Sequence, residues 1–288
     1  MLQQLLDARL VDKNRPRVLY PHLAAVQGAN WQEVGEIAFV DYDEPEIKDL
    51  NRYRTAIAAP EILEISEQAW TPDTRIYFNF QIDLDEQRGK FDHLYQRVED
   101  AGKLFTQRKD KDMFELYPQA GVVIDDGMMT IGGATNGGAG NPIELTRETV
   151  GDFITNLYTF FEDNNIPVED RFITVKPIHY SLIKEYNTKT YWGTETGVES
   201  GSTVRMIDIN GIKVHSSNNI VTEAGVVHGL AGQGKQIFMW EVIGGRTYVS
   251  DIENNTTHFA KLVKGTTMYG YIVPNRRRQN FFDLQIKA

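Results

Sequence analysis

The residues whose types and spacing best suggest chemistry are Gly229 to Lys235, which read GLAGQGK. Gly229, Gly234 and Lys235 meet the Gly-x4-Gly-Lys spacing of a loop that cradles phosphates with backbone N–H groups. That chemistry also needs a Ser or Thr after the lysine to hold magnesium, and Gln236 stands there. It further needs a helix whose N-terminus meets the phosphates. Ile237 to Val242 reads as a strand instead. The plain reading is a glycine-rich loop carrying one lysine.

Other reactive patterns are sparse. His22, His93, His179, His215, His228 and His258 show no metal-ligand spacing, and the chain has no cysteine to complete a zinc site. Asp125-Asp126 carries charge for a hard cation, but no loop of spaced oxygen ligands follows. There is no Gly-x-Ser-x-Gly elbow. Asn254 and Asn255 fall in glycosylation-like triplets, which mean little without secretion. Arg276-Arg277-Arg278 is the one basic run. It reads as a solvated turn between two late strands, with a contact to an acidic partner segment or to DNA as the alternative. No catalytic, cofactor-binding or metal-binding residue is assigned, and no cofactor is expected.

The 288 residues suffice for one large domain or two modest ones. With 41% hydrophobic and 24% charged residues, the chain can bury a core and stay soluble. Its mean hydropathy is -0.39, and no apolar run approaches a membrane span. A net charge of -10 argues against a dedicated nucleic-acid binder without forbidding a local basic patch.

These candidates must be positioned by the following elements. Residues 1 to about 32 read as an arm with Pro16 and Pro21, either a mobile terminus or a clip onto a neighbouring copy. Residues 33 to 83 read as an extended acidic excursion, with Ile37 and Phe39 at one end and the alternating Ile76, Phe78, Phe80 and Ile82 at the other. Residues 84 to about 116 predict one long helix through Phe91, Leu94, Tyr95, Val98, Ala101 and Phe105, its remaining faces laced with solvated charge. Residues 120 to 142 predict a short strand at Val122–Ile124 and a glycine-rich connection. Asn187 to Ser202 reads as a loop. Asn210-Gly211 predicts a type I′ hairpin between Thr203–Ile209 and Ile212–Ser216. Late strands are expected at Gln236–Val242, turning at Gly244-Gly245 into a return strand Arg246–Ile252, then at Phe259–Val263, Met268–Val273 and Phe281–Ile286.

Between hairpin and glycine connection lies the stretch around which the rest is organised, Thr146 to Tyr186. Val150, Phe153, Ile154, Leu157, Tyr158 and Phe161 recur at helical spacing, with Thr146 as N-cap and Asn164, Asn165 and Pro167 as the stop. Phe172–Val175 is a buried strand, and Pro177 opens a helix with Ile178, Leu182, Ile183 and Tyr186 inward.

In this stretch the sequence resembles the major capsid proteins of tailed double-stranded DNA bacteriophages, the Hong Kong 97-type fold. Arg171, Phe172, Val175, Pro177 and Tyr180 fill the places of the family's strand and following helix, and Tyr77-Phe78-Asn79-Phe80 resembles the end of its E-loop. The order of parts matches over nearly the whole chain. The resemblance implies an α+β fold with an N-terminal arm at 1–32, an E-loop at 33–83 and a P-domain with the spine helix at 84–130. It places a central α/β A-domain at 131–242, P-domain return strands at 243–264 and C-terminal strands of the A-domain at 265–288.

The function implied is structural: an icosahedral shell of hexamers and pentamers around a phage genome, assembled in the host cytoplasm. The implied partners are other copies of the chain, a separate scaffolding protein, a portal protein, a decoration protein in some members, and packaged DNA by weak non-specific contact, with no membrane. Some members weld subunits through an E-loop lysine, and Lys48 is the only lysine in 33–83. The same fold builds encapsulin nanocompartments, which stay open as an alternative. An enzyme using Gly229–Lys235 is the alternative of a different class.

Overall fold

The computed structural model describes residues 18–29, 36–42, 65–83, 91–127, 141–191, 206–242, 246–249 and 260–288. Two sheets share one core. The first has seven strands in the order β5-β14-β10-β6-β8-β7, with β9 beside β10. Its members are β5 (Val122–Ile124), β6 (Arg171–Val175), β7 (Met206–Ile209), β8 (Ile212–Ser216), β9 (Val221–Glu223), β10 (Val226–Gln233) and β14 (Phe281–Lys287). The second has five: β1 (Ala24–Ala29), β4 (Thr74–Asp83), β11 (Ile237–Val242), β12 (Arg246–Val249) and β13 (Ala260–Ile272). A separate pair joins β2 (Ile37–Tyr42) to β3 (Ile65–Trp70).

The organising stretch folds largely as its pattern dictates. Helix α2 (Val150–Asp163) buries Val150, Phe153, Ile154, Leu157 and Phe161, whereas Tyr158 of the expected stripe is exposed. Thr146 Oγ1 accepts the N–H groups of Glu148 and Thr149 at 3.3 Å, but regular helix begins only at Val150. Asn165 ends the helix at φ 52°, a left-handed conformation that a short amide side chain tolerates. All five residues of β6 are buried, because strands flank it on both sides and helices cover the sheet. Helix α3 (Pro177–Tyr191) opens on proline as expected. Its inner face departs from expectation. Ile183 is buried and Leu182 and Tyr186 pack half-buried against the core as expected, but Ile178 is 66% exposed, and His179, Tyr180 and Asn187 are buried beside Ile183. The helix also runs five residues, 187 to 191, into the expected loop at 187–202. The hairpin of β7 and β8 holds Asn210 at φ 52° and Gly211 at φ 79°, the two positive φ angles that Asn-Gly favours.

The second sheet corrects several expectations. Residues 18–29 of the expected arm are built into the body: Val18, Leu19 and Leu23 are buried, and β1 pairs in parallel with β11. All ten residues of β4, read as part of the E-loop, pair with β13. The strands expected at 259–263 and 268–273 are one 13-residue strand, β13, so the expected boundary at 264/265 falls inside it. Gly265 does not turn the chain. It is the space over which the Phe78 ring sits, since a Cβ there would lie 2.2 Å from the ring. β12 is not a return strand. It runs along the same edge of β13 in the same sense as β11, from Glu241↔Tyr269 to Arg246↔Thr266.

The excursion is rooted by aromatic contacts. Phe39 and Trp70 meet Phe238 edge-on at 5.1 and 6.2 Å between ring centroids. Helix α1 (Phe91–Phe114) is the long helix of the sequence, and its 24 residues reach about 36 Å at 1.5 Å each. Residues 84–90, 43–64 with Lys48, and 128–140 lie outside the described residues.

Candidate functional site

Gly229–Lys235 is not a loop. Gly229 to Gln233 lie in β10, between β14 and β6. A Cβ at Gly229 would stand 2.3 Å from the Thr174 carbonyl oxygen, and one at Gly232 would stand 2.2 Å from that of Asn280. These glycines let backbones approach. Thr174 Oγ1 fills the rest of the contact, donating to Leu230 O at 3.0 Å and accepting Leu230 N–H at 2.7 Å. Lys235 follows in a turn at φ 63°, its N–H donated to Leu23 O at 2.9 Å, and the chain enters strand β11 rather than a helix. Nothing here presents a row of N–H groups to a phosphate, so the enzyme alternative loses its loop.

The histidines are dispersed. His228 places Nδ1 3.0 Å from Asp283 Oδ2 and stacks on Tyr117 with centroids 4.0 Å apart. Burial pushes the Asp283 carboxyl up, against the opposing hydrogen bonds from Gln285 and His228. Burial lowers His179, and it lowers His215 to about 4, so both are neutral at physiological pH. Among the described residues, no three His, Asp or Glu side chains gather as metal ligands. Asp125 Oδ1 accepts the Gly127 N–H at 3.0 Å, closing a turn instead of holding a cation. No described helix is long and apolar enough to cross a membrane.

The polar groups that matter structurally are ones the sequence hides. The charge on the last turns of α1 is only partly a solvated face: Lys111 and Glu115 are exposed, but Lys109, Asp110 and Asp112 turn inward. Asp110 is completely buried and accepts the N–H groups of Leu19 at 2.6 Å and Tyr20 at 3.0 Å, and the Asn219 amide at 2.8 Å. It caps the single helical turn Tyr20–Leu23 and ties it to the segment after β8. Burial raises its carboxyl; those hydrogen bonds oppose the rise. Its neighbours bind the second sheet: Lys109 pairs with Glu241 at 2.7 Å, and Asp112 takes the Tyr269 hydroxyl at 2.5 Å and Arg108 at 2.8 Å.

Arg171 is 1% exposed at the head of β6. Its guanidinium donates to the Ile166 and Pro167 carbonyls and pairs with Glu162 at 2.7 Å. It thereby satisfies the carbonyls of the turn that leaves α2. Arg276–Arg278 lie on a two-turn 3₁₀ segment, Asn275–Asn280, between β13 and β14. Arg277 Nη1 donates to Lys235 O at 3.0 Å, which places the basic run beside the lysine.

No protein-family profile matches the chain, and no curated sequence matches it. Solved structures do. The chain is similar to the capsid of the cyanophage P-SCSP1u at 15% identity and a TM-score of 0.63, over 96% of this chain and 90% of that one. It is similar to the mature capsid of bacteriophage PhiM1 at 12% identity and a TM-score of 0.64, over 96% and 88%. A virus-like particle from Pyrococcus furiosus matches at 10% identity and a TM-score of 0.56, over 98% of each chain. The chain thus has the α+β capsid fold of the Hong Kong 97 type.

Proposed function

We propose that this protein is the major capsid protein of a tailed phage, a structural subunit that assembles with copies of itself into an icosahedral shell around double-stranded DNA. The observation that carries the reading is coverage: the match to the cyanophage capsid spans 96% of this chain and 90% of that one. A chain that spends its polar groups on internal ties, with its one phosphate-loop candidate locked inside a sheet, is suited to holding a shape.

In this reading the seven-stranded sheet with α2 and α3 is the A-domain near the capsomer axis. The five-stranded sheet with α1 is the P-domain, and the β2–β3 pair is the root of an E-loop that lies on a neighbour. The virion is the place of action and the host cytoplasm the place of assembly. Scaffolding, portal and decoration proteins are the further partners. The nanocompartment alternative is less favoured, because phage capsids dominate the similar structures and match more closely than the virus-like particle does.

Size-exclusion chromatography with negative-stain electron microscopy tests the proposal. Rings, sheets or shells of megadalton size, alone or with a scaffold, are expected. A monomer of 32.8 kDa under all salts, with scaffold present, would overturn it.

A further inference from the structure

We infer that Asn210-Gly211 is a self-modification site held in check by the fold, with Asp208 as its guard. The reaction needs only water. The Gly211 backbone nitrogen attacks the side-chain carbonyl carbon of Asn210, a C–N bond forms, and ammonia leaves. Water then opens the resulting succinimide at either carbonyl, giving aspartate or isoaspartate. The net change is one ammonia lost and one water gained. Asn-Gly is the pair best suited to this step, because a residue without a Cβ leaves its nitrogen open to approach. The chain has two such pairs, Asn136-Gly137 and Asn210-Gly211, and the first lies outside the described residues.

The β7–β8 hairpin brings the second pair to the surface and then restrains it. Asn210 is exposed at φ 52°, and Gly211 follows at φ 79°. The attacking nitrogen is already engaged, donating its hydrogen to Asp208 Oδ1 at 3.0 Å. Attack requires that bond to break and the nitrogen to shed its proton, and an adjacent carboxylate opposes the anion that results. The cation across the ladder from Asp208 is Lys213, and its Nζ pairs with Asp170 at 2.6 Å. Val168 covers another side of the turn, since a Cβ at Gly211 would lie 3.0 Å from its Cγ1. Ring closure also requires rotation about the Asn210 Cα–C bond. The buried pair Ile209↔Ile212 clamps the turn on both sides, and Ile207 and Val214 are buried behind it. Among the described residues β7 pairs only with β8, so it is an edge strand, the kind of element that opens locally ahead of the core. Each opening releases the nitrogen from Asp208, so conversion of Asn210 records openings of the hairpin. The product is not silent. Isoaspartate carries one more backbone carbon than asparagine, and a two-residue turn has no slack for it, so the Ile209↔Ile212 pair is lost and the edge strand freed. None of this depends on the shell reading.

The test is to incubate the purified full chain in mildly alkaline buffer, folded and in urea, and to follow Asn210 and Asn136 by peptide mass spectrometry with separation of aspartate from isoaspartate. Trypsin releases Asn210 in the short peptide Met206–Lys213. Folded Asn210 should convert at least about tenfold more slowly than the same residue in urea, because reaction waits on local opening. Asp208→Ala should raise the folded rate by about tenfold, the factor carried by one hydrogen bond to a charged group. Asp208→Asn keeps an acceptor oxygen and loses the charge, so its rate should fall between the two. Asn136 in the same samples should convert alike in all three chains. Thermal melts are read alongside, and should Asp208→Ala fail to fold, Asp208→Asn carries the comparison. Folded Asn210 converting as fast as in urea would remove the restraint. A rate in the folded Asp208 variants at or below that of wild type would remove the guard.

Discussion

Asp110 Oδ1 accepts the backbone N–H of Leu19 at 2.6 Å, joining residues 91 positions apart in sequence. The bond carries the start of the described chain onto the last turns of α1, from where β1 runs beside β11. Removing the carboxylate leaves two backbone N–H groups and the Asn219 amide buried without an acceptor, at about 1–3 kcal/mol for each group left unsatisfied. Asp110→Ala should therefore lower the unfolding free energy by about 3 kcal/mol or more, and should expose residues 18–29 to proteolysis. Asp110→Asn keeps one carbonyl oxygen for Leu19 and Tyr20, and Asn219 can present its own oxygen to the new amide. That variant should stay within about 1 kcal/mol of the parent. Urea denaturation and limited thermolysin digestion, which can cut beside the Leu, Ala and Val residues of 18–29, read both, and equal losses in the two variants would refute the acceptor role.

His215 and Asp110 give opposite pH dependences. Burial depresses His215 from 6.5 to about 4, so the unfolded chain takes up that proton first and stability falls as pH drops from 6.5 towards 4. The full contribution is about 3 kcal/mol on a shift of that size, an order-of-magnitude figure. Asp110 runs the other way. Its folded value is raised above 3.8, so its contribution is present below 3.8 and lost as pH rises through the raised value. Denaturation of wild type and His215→Gln at pH 7 and at pH 4.5 should show a smaller acid loss in the variant. A variant that lost stability as steeply as wild type would place the acid sensitivity elsewhere.

The glycines of the false phosphate loop should be unforgiving for steric reasons. A Cβ at Gly229 would meet a backbone oxygen of β6 at 2.3 Å, a distance no side-chain rotation relieves. Gly229→Ala should cost more than about 3 kcal/mol, or leave the chain insoluble, because two central strands must separate. Gly225 is the control. It sits at φ 83° with nothing within 4 Å of a built Cβ, so Gly225→Ala pays only backbone strain of about 1 kcal/mol. Equal effects at the two positions would mean that β10 does not lie against β6 as closely as described.

Much of this architecture was legible because local rules agreed with tertiary context. The α2 stripe, Pro177 and Asn210-Gly211 each specify one local conformation, and the fold adopts all three. What stayed hidden depends on partners distant in sequence. Residues 259–263 and 268–273 read as two strands until Phe78 is seen over Gly265 within one, and Gly229 reads as a loop until Thr174 is seen against it. Asp110 and Asp112 look like a solvated face until Leu19, Asn219 and Tyr269 reach them. Ile178 was placed inward because hydrophobicity alone does not reveal which side of a helix meets the sheet. The basic patch was half visible: the arginine run was evident, but its meeting with Lys235 needs two crossings brought together.

Arg171 is the sharpest remaining test, because the sequence marked it only through a family resemblance while the structure gives it a physical task. Its side chain is 2% exposed, whereas Glu162 is 46% exposed, so the two ends of this ion pair are not equivalent. Screening by solvent leaves the Glu162 contribution at about 0–1 kcal/mol, and Glu162→Gln should be nearly silent. Arg171→Met removes the donors that satisfy the Ile166 and Pro167 carbonyls on the inner side of the turn, and leaves a gap beside Phe161 and Tyr158, whose rings lie 5.8 Å from the guanidinium. A loss of about 3–5 kcal/mol is expected, with Arg171→Lys intermediate, since an ammonium supplies charge but not the planar fork. If Glu162→Gln proved as damaging as Arg171→Met in chemical denaturation, the ion pair rather than the carbonyl contacts would be holding the turn between α2 and β6.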